Sequence, residues 1–189
     1  RAVALDDMLA PVHVTLGIVN RGTGEPEQAL KDLDRALRLD PGNALALREL
    51  GLTLDQLGRT EEAEATFRRA IALRPSSWSG HNLLGYFLSK HGRYQEAADE
   101  FRRVTEIAPD NRRGFSNLGG MLLVLGRDEE ARVVLERAMA LEPTSSGYSN
   151  LGALEFKAGN FQRAAQVFER ASELGKRDYR AWSNRGAAD

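Results

Sequence analysis

The sequence of 189 residues contains no cysteine and only three histidines, His13, His81 and His91. The missing thiols exclude disulfides, thiolate metal sites and cysteine nucleophiles. No two histidines have the spacing of a metal site, and no serine has a histidine base in a recognisable arrangement. We therefore predict a protein that is not an enzyme, with no catalytic residues, no bound metal and no cofactor.

Long apolar runs and an excess of one charge are also missing. The mean hydropathy is −0.43, and the formal net charge is −1. No segment is apolar enough to cross a bilayer, and no global field attracts nucleic acid or an anionic membrane. We expect a soluble protein without nucleic-acid partners or membrane insertion, and the cytoplasm is the favoured compartment. Only four of the 26 basic residues are lysines, a bias that suggests GC-rich coding and a bacterial source.

Proline is scarce, with six residues, and both proline and glycine recur with a regular period. A Leu-Gly pair recurs at intervals of 33 or 34 residues, and each of these copies is followed by a second glycine, an alanine, a large apolar residue and another small or branched residue. The Leu-Gly pairs begin at Leu16, Leu50, Leu84, Leu118 and Leu151, and four of the units close with Pro41, Pro75, Pro109 and Pro143. Such self-similarity at a fixed period is the signature of a repeat protein.

The order of these residues resembles the 34-residue tetratricopeptide repeat. The sequence contains five whole repeats, at 10–43, 44–77, 78–111, 112–144 and 145–178. Positions within a repeat are numbered from its first residue. The fifth has Lys176 in place of the closing proline. Residues 1–9 read as the end of a preceding helix, and residues 179–189 as the first helix of a truncated sixth repeat.

The apolar spacing predicts two helices in each repeat. One helical pair cannot bury its own apolar face, so the pairs must stack on each other. The predicted fold is all-α: one array, 1–189, forming an α-solenoid of antiparallel helix pairs that the resemblance implies to be a right-handed superhelix. We expect the glycine after each Leu to allow close helix packing, and the second glycine to adopt the left-handed cap conformation.

One arginine recurs in the second helix of every repeat. These residues could form a basic ridge for nucleic acid, or a solvated helix face with buried stems and acidic neighbours. The interleaved carboxylates favour the second interpretation. The positions are Arg35, Arg69, Arg103, Arg137 and Arg170.

The resemblance implies that the first helices line a concave groove. Helical spacing predicts that positions 2, 6, 9 and 13 face it. Asparagine occupies position 6 in the last three repeats, at Asn117, Asn150 and Asn184, and position 9 there is glycine or alanine. An asparagine side chain both donates and accepts, as a peptide bond does. The pattern is similar to the asparagine ladder in superhelical tetratricopeptide domains of protein O-GlcNAc transferases, although nothing here resembles their transferase domain.

The candidate peptide-binding residues therefore combine these amides with neighbouring groove positions. Arg113, Arg180, Lys157 and Lys90 favour an acidic segment or a C-terminal carboxylate, and Tyr86 adds apolar surface. Alternatively, the asparagines are tolerated on a polar face or bond locally to backbone. The carboxylate clamp of chaperone adaptors is absent, because no ninth position is asparagine.

Three functions stay open at this point. The favoured one is a protein-protein interaction module, part of a larger protein, that binds an extended peptide in its groove. The second is a structural module that self-associates, with homo-oligomers formed through the exposed solenoid ends. The third is a regulatory appendage of a bacterial enzyme such as a kinase or transferase.

Overall fold

A computed structural model describes the backbone of residues 9–186 and the side chains of residues 9–176. Ten helices and no strands occur over residues 9–186. The predicted helix end at residues 1–9 lies, except for Leu9, outside the described residues. The helices are α1 (Ala10–Gly22), α2 (Pro26–Leu39), α3 (Ala44–Gln56), α4 (Thr60–Leu73), α5 (Trp78–Lys90), α6 (Tyr94–Ile107), α7 (Arg112–Val124), α8 (Asp128–Leu141), α9 (Ser145–Lys157) and α10 (Phe161–Gly186).

The helices belong to two compact units, residues 1–87 and residues 88–189. The first unit contains α1 to α4 and most of α5, and the second contains the last turn of α5 and α6 to α10. Odd-numbered helices are the first members of the predicted repeats, and even-numbered helices are the second members. The predicted fold class, all-α with stacked helical hairpins, is confirmed.

Side-chain caps and glycines define where the helices begin and end. Asn43, Asn111 and Thr144 each accept a hydrogen bond from the backbone N–H three residues later and so start α3, α7 and α9. The five glycines after the odd-numbered helices have φ between +71° and +86°. This left-handed conformation strains other residues, so the predicted glycine caps are confirmed.

Within a pair, the glycine of the Leu-Gly dipeptide lies against the large apolar residue of the second helix. A Cβ at Gly51 would lie 2.5 Å from Phe67, and one at Gly119 would lie 2.6 Å from Leu135. These distances are too short for any side chain, because protein interiors are already close-packed. The prediction that this glycine permits close helix packing is confirmed.

Successive pairs within a unit pack through position 3 of the later repeat. In the second unit, a Cβ at Gly114 would lie 2.6 Å from Val104, and one at Gly147 would clash with Met139. In the first unit, Gly80 faces Ile71 in the same way. Positions 27 and 28 of one repeat therefore meet position 3 of the next.

The last helix differs from the sequence prediction. A single helix, α10, runs from Phe161 to Gly186 and crosses residue 178, where the sequence placed the end of the fifth repeat. The physical reason is Lys176: lysine continues a helix, whereas the proline at this position in the other repeats cannot. Within the described residues, no helix is both long and apolar enough to cross a membrane.

Candidate binding face

The predicted site residues are distributed over both units. In the second unit, α7 carries Arg113 and Asn117, and α9 carries Asn150 and Lys157. Lys90 ends α5 in this unit, whereas Tyr86 belongs to the first unit. The remaining two predicted residues, Arg180 and Asn184, lie on α10 beyond the described side chains.

The stripe on α7 and α9 is open to solvent. Arg113 on α7 is exposed, as are Ser146, Asn150 and Ala153 on α9, and Asn117 is half-buried. We call the exposed stripe of α7 and α9 the amide face. Its residues at positions 2, 6, 9 and 13 are Arg113, Asn117, Gly120, Val124, Ser146, Asn150, Ala153 and Lys157.

Gly120 makes room on the amide face. A Cβ built at Gly120 would meet no atom within 4 Å, whereas its neighbour Gly119 has no such space. The first glycine of the Gly-Gly pair thus serves helix packing, and the second leaves open surface beside Asn117. A backbone segment can approach a helix closely where the helix has no side chain.

The charge on the amide face is neutral to positive. No acidic residue occurs in α7, and the single acidic residue of α9, Glu155, is 1% exposed. Arg112 forms an ion pair with Glu142 at 2.8 Å, and Lys157 forms one with Asp128 of α8. The guanidinium of Arg113 is therefore exposed on a helix, α7, that contains no carboxylate.

Position 6 is not always on the open surface. In the first unit this position is Glu49, which is only 2% exposed and is predicted by the sequence to face the groove. That prediction is wrong for Glu49, because Arg21 donates two hydrogen bonds to its Oε2, at 2.9 and 3.2 Å. Arg48 approaches Oε1 at 3.2 Å. The paired arginines draw the carboxylate into the interface between two repeats.

Sequence reasoning missed a second buried acid, Glu155. Arg132 of α8 and Arg163 of α10 each place Nε 3.2 Å from its Oε1, and Asn160 donates a hydrogen bond to Oε2 at 2.8 Å. A signal was available, since position 11 is a core position that holds Leu54, Leu88 and Leu122 elsewhere. An acid in a row of buried leucines implies a buried cationic partner.

Most of the recurring arginines contact the protein itself. Arg69 donates to the backbone oxygen of Pro41 at 3.0 Å, Arg103 pairs with Glu106 at 2.8 Å, and the Arg137 guanidinium lies 6.0 Å from the centre of the Phe115 ring. These contacts agree with the solvated-face interpretation. Among the residues whose side chains are described, no group of three histidines, aspartates or glutamates could hold a metal ion.

Two family models match the sequence, and both describe a tetratricopeptide repeat. One matches residues 14–78, 50–112 and 150–188, and the other matches residues 88–154. The chain belongs to the tetratricopeptide repeat family. Tetratricopeptide repeats are typically interaction modules, and this chain is a protein-interaction module. No curated protein sequence matches it.

Several solved tetratricopeptide structures have the same fold. MamA from Desulfovibrio magneticus is 24% identical with a TM-score of 0.75, covering 88% of this chain and 95% of its own. PilF from Pseudomonas aeruginosa is 24% identical with a TM-score of 0.73, covering 97% and 88%. YrrB, described as a repeat protein with an unusual peptide-binding site, is 21% identical with a TM-score of 0.71, covering 92% and 90%.

Proposed function

We propose that the amide face of the second unit binds an extended peptide segment of a partner protein. The single observation that carries this proposal is the open surface beside Asn117 and Asn150, where Gly120 and Ala153 leave a ligand backbone room to approach. Each carboxamide can donate to one peptide carbonyl and accept from one peptide N–H. Asn184, the third member of the predicted ladder, belongs to this proposal on the sequence pattern alone.

The charge of the face determines the class of peptide. Arg113 is exposed at the start of α7, on a helix without acidic residues. A guanidinium binds a carboxylate with two parallel hydrogen bonds. The preferred ligand is therefore a segment with an aspartate, a glutamate or its own C-terminal carboxylate near Arg113. We assign supporting roles to Lys157 and Lys90 of the same unit and, on the sequence pattern alone, to Arg180 and Tyr86.

The solved structure of YrrB supports this proposal. That protein has a peptide-binding site on the same fold, at 21% identity. The amide face of this chain offers a peptide its two asparagines and its one open glycine.

The test uses an array of randomised synthetic peptides in which acidic residues alternate with their amide counterparts. The peptides that bind best are then titrated against the wild type and the Asn117→Ala/Asn150→Ala double variant. A neutral hydrogen bond contributes about 0.5–1.5 kcal/mol, so the double variant should lose roughly 1–3 kcal/mol of binding free energy. Arg113→Gln should abolish the preference for acidic over amide peptides.

The matched control removes an amide elsewhere. Gln56→Ala truncates an exposed carboxamide on α3, in the other unit, and should leave peptide affinity unchanged. Equal affinity of the wild type and the double asparagine variant for every selected peptide would show that the amide face is not the binding site.

A further inference from the structure

The two helices of the amide face are parallel to each other. α7 and α8 form an antiparallel hairpin. α8 is also antiparallel to α9, because Asp128 at its start pairs with Lys157 at the end of α9, and Met139 near its end lies against Gly147 near the start of α9. Residues at the same repeat position of α7 and α9 therefore lie at similar levels along the two helix axes.

The amide face consequently has three strips that run across both helices. We call them the start strip at position 2, the middle strip at positions 6 and 9, and the end strip at position 13. In this order they contain Arg113 and Ser146; Asn117, Asn150, Gly120 and Ala153; and Val124 and Lys157. Four residues separate each outer strip from the middle strip, which is about 6 Å along the helix axis, because an α-helix rises 1.5 Å per residue.

A peptide that the middle strip binds through its backbone has to direct its side chains elsewhere. In an extended chain, the side chains stand roughly perpendicular to the backbone N–H and C=O groups, and successive side chains project to opposite sides. When the N–H and C=O groups point at Asn150, the side chains lie along the helix axes. They therefore point alternately toward the start strip and toward the end strip.

The two outer strips differ in their chemistry. The start strip presents the exposed guanidinium of Arg113, which favours a carboxylate. The end strip presents Val124, a valine that is 56% exposed. Beside it in the same strip, the ammonium of Lys157 pairs with Asp128, so the aliphatic stem of this lysine adds further apolar surface. The end strip therefore favours an apolar side chain.

We propose that the amide face selects an extended segment in which acidic and apolar residues alternate. The acidic side chains point to the start strip, and the apolar side chains point to the end strip. This inference rests on the proposed function of the amide face and adds Val124 as a residue that determines specificity. Since the alternation follows from the geometry of an extended chain, the order of the residues matters as well as the composition.

The test uses two synthetic peptides of identical composition, each with an acetylated start, an amidated end and a fluorescent label. Three aspartates and three leucines alternate in the first peptide, whereas the three aspartates precede the three leucines in the second. Fluorescence anisotropy titrations measure both dissociation constants. The wild type should bind the alternating peptide about fivefold more tightly or better, because only this order brings every leucine to the end strip for burial.

Variants of the outer strips assign each preference to one side of the peptide. The preference for leucine is the ratio of affinities for the alternating peptide and for a version with serine in place of leucine. Val124→Ser should lower this ratio about fivefold, because it removes two methyl groups from the contact. Arg113→Gln should lower the preference for aspartate over asparagine and should keep the preference for leucine.

The matched control is the same substitution at another exposed valine. Val133 is 67% exposed on α8 of the same unit and lies outside the amide face. Val133→Ser should bind all of these peptides like the wild type. Circular dichroism verifies that each variant is folded.

The possible failures separate this inference from the proposed function. Equal affinity for the two peptides of identical composition, with both weakened in Asn117→Ala/Asn150→Ala, would overturn the alternation and keep the peptide site. The same holds if neither binds while peptides from the randomised array do. An unchanged leucine preference in Val124→Ser would exclude the end strip. Binding of the alternating peptide that does not depend on the two asparagines would overturn the proposed function itself, as would an array without any binding peptide.

Discussion

Two neighbouring glycines in α7 have opposite surroundings, so replacing each by alanine should have opposite effects on stability. In Gly119→Ala the new methyl group would lie 2.6 Å from Leu135, which has to move. Overpacking of this kind costs roughly 1–3 kcal/mol. Gly120→Ala meets no atom and should stabilise α7 by up to about 1 kcal/mol, because alanine has the higher helix propensity. Urea unfolding of both variants measures the difference.

The Gly120→Ala variant also serves as the control for Gly119→Ala, since both add one methyl group to the same helix. Equal unfolding midpoints for the two variants would contradict the close contact between Gly119 and Leu135.

Replacing Glu155 by leucine should destabilise the protein, although the repeat pattern alone predicts the opposite effect. Leucine is the usual residue at position 11, so Glu155→Leu restores the pattern. We nevertheless expect the variant to lose about 2–4 kcal/mol, because Arg132, with 17% side-chain exposure, is left without its buried partner. Thermal unfolding measures the loss, and the double variant Glu155→Leu/Arg132→Leu should recover much of it. A single variant as stable as the wild type would show that the buried ion pair contributes little.

At the residue scale, the sequence predicted contacts that depend on size and failed for contacts that depend on charge. Gly51 and Gly119 were expected to face large side chains, because only glycine fits such a close approach. The burial of Glu49 was not expected, because position 6 belongs to the stripe predicted to face the groove. Its orientation depends on Arg21, which belongs to another repeat, and spacing within one repeat carries no information about that partner.

At the element scale, α4, α6 and α8 begin with the same charged pair. Arg59, Arg93 and Arg127 immediately precede these helices, and each guanidinium donates two hydrogen bonds to the glutamate three residues later. The bonds lower the pKa of Glu62 and Glu130 below the ordinary value of 4.5. In the unfolded chain these carboxylates protonate first as the pH falls.

The sign of the pH dependence follows from this order. The stabilisation by the pairs is present above the ordinary carboxyl pKa and is lost as the pH falls through the lower pKa of the folded state. The thermal midpoint of Glu62→Gln should therefore depend less on pH than that of the wild type below about pH 4.5. Glu61→Gln, a change in the same helical turn, is the matched control. An unaltered acid profile in Glu62→Gln would contradict the assignment.

The continuity of α10 gives the second prediction at this scale. Lys176→Pro introduces the residue that closes the other repeats, and proline inside a helix costs about 3 kcal/mol. The variant should interrupt α10 before residue 176, with a loss of helical signal in circular dichroism. Lys176→Ala should keep the full signal. A proline variant with unchanged helicity would contradict the continuous helix.

The sequence predicted the helices of the five repeats because each carries its own start and stop signals. The sequence shows that Lys176 replaces the closing proline. The helical spacing before and after Lys176, however, is compatible both with one continuous helix and with two helices separated by a turn. Proline excludes a continuous helix, whereas its absence does not require one. The helix boundary at the end of the chain therefore depended on the structure.

At the scale of the whole molecule, the proposed peptide site belongs to the amide face of the second unit. Gln56→Ala, in the first unit, should bind the selected peptides with wild-type affinity, whereas Asn117→Ala/Asn150→Ala should bind them more weakly. Both variants should unfold like the wild type, because neither removes a core side chain. Titration and circular dichroism of the same samples measure both properties, and a loss of peptide affinity in Gln56→Ala would contradict the assignment to the second unit.

The buried cluster around Glu155 has a consequence for how such a protein can evolve. Duplicating or exchanging repeats is an easy genetic change, and the common length of the hairpins makes it sterically plausible. If the fifth hairpin followed the third, however, Glu155 would face Ala98 in place of Arg132, since Ala98 occupies position 21 there. The buried carboxylate would keep Arg163 and Asn160 of its own hairpin but lose one of its two guanidinium partners, which destabilises it. The fourth and fifth hairpins are therefore expected to be inherited as a pair, whereas neighbours joined through apolar contacts alone can be reshuffled.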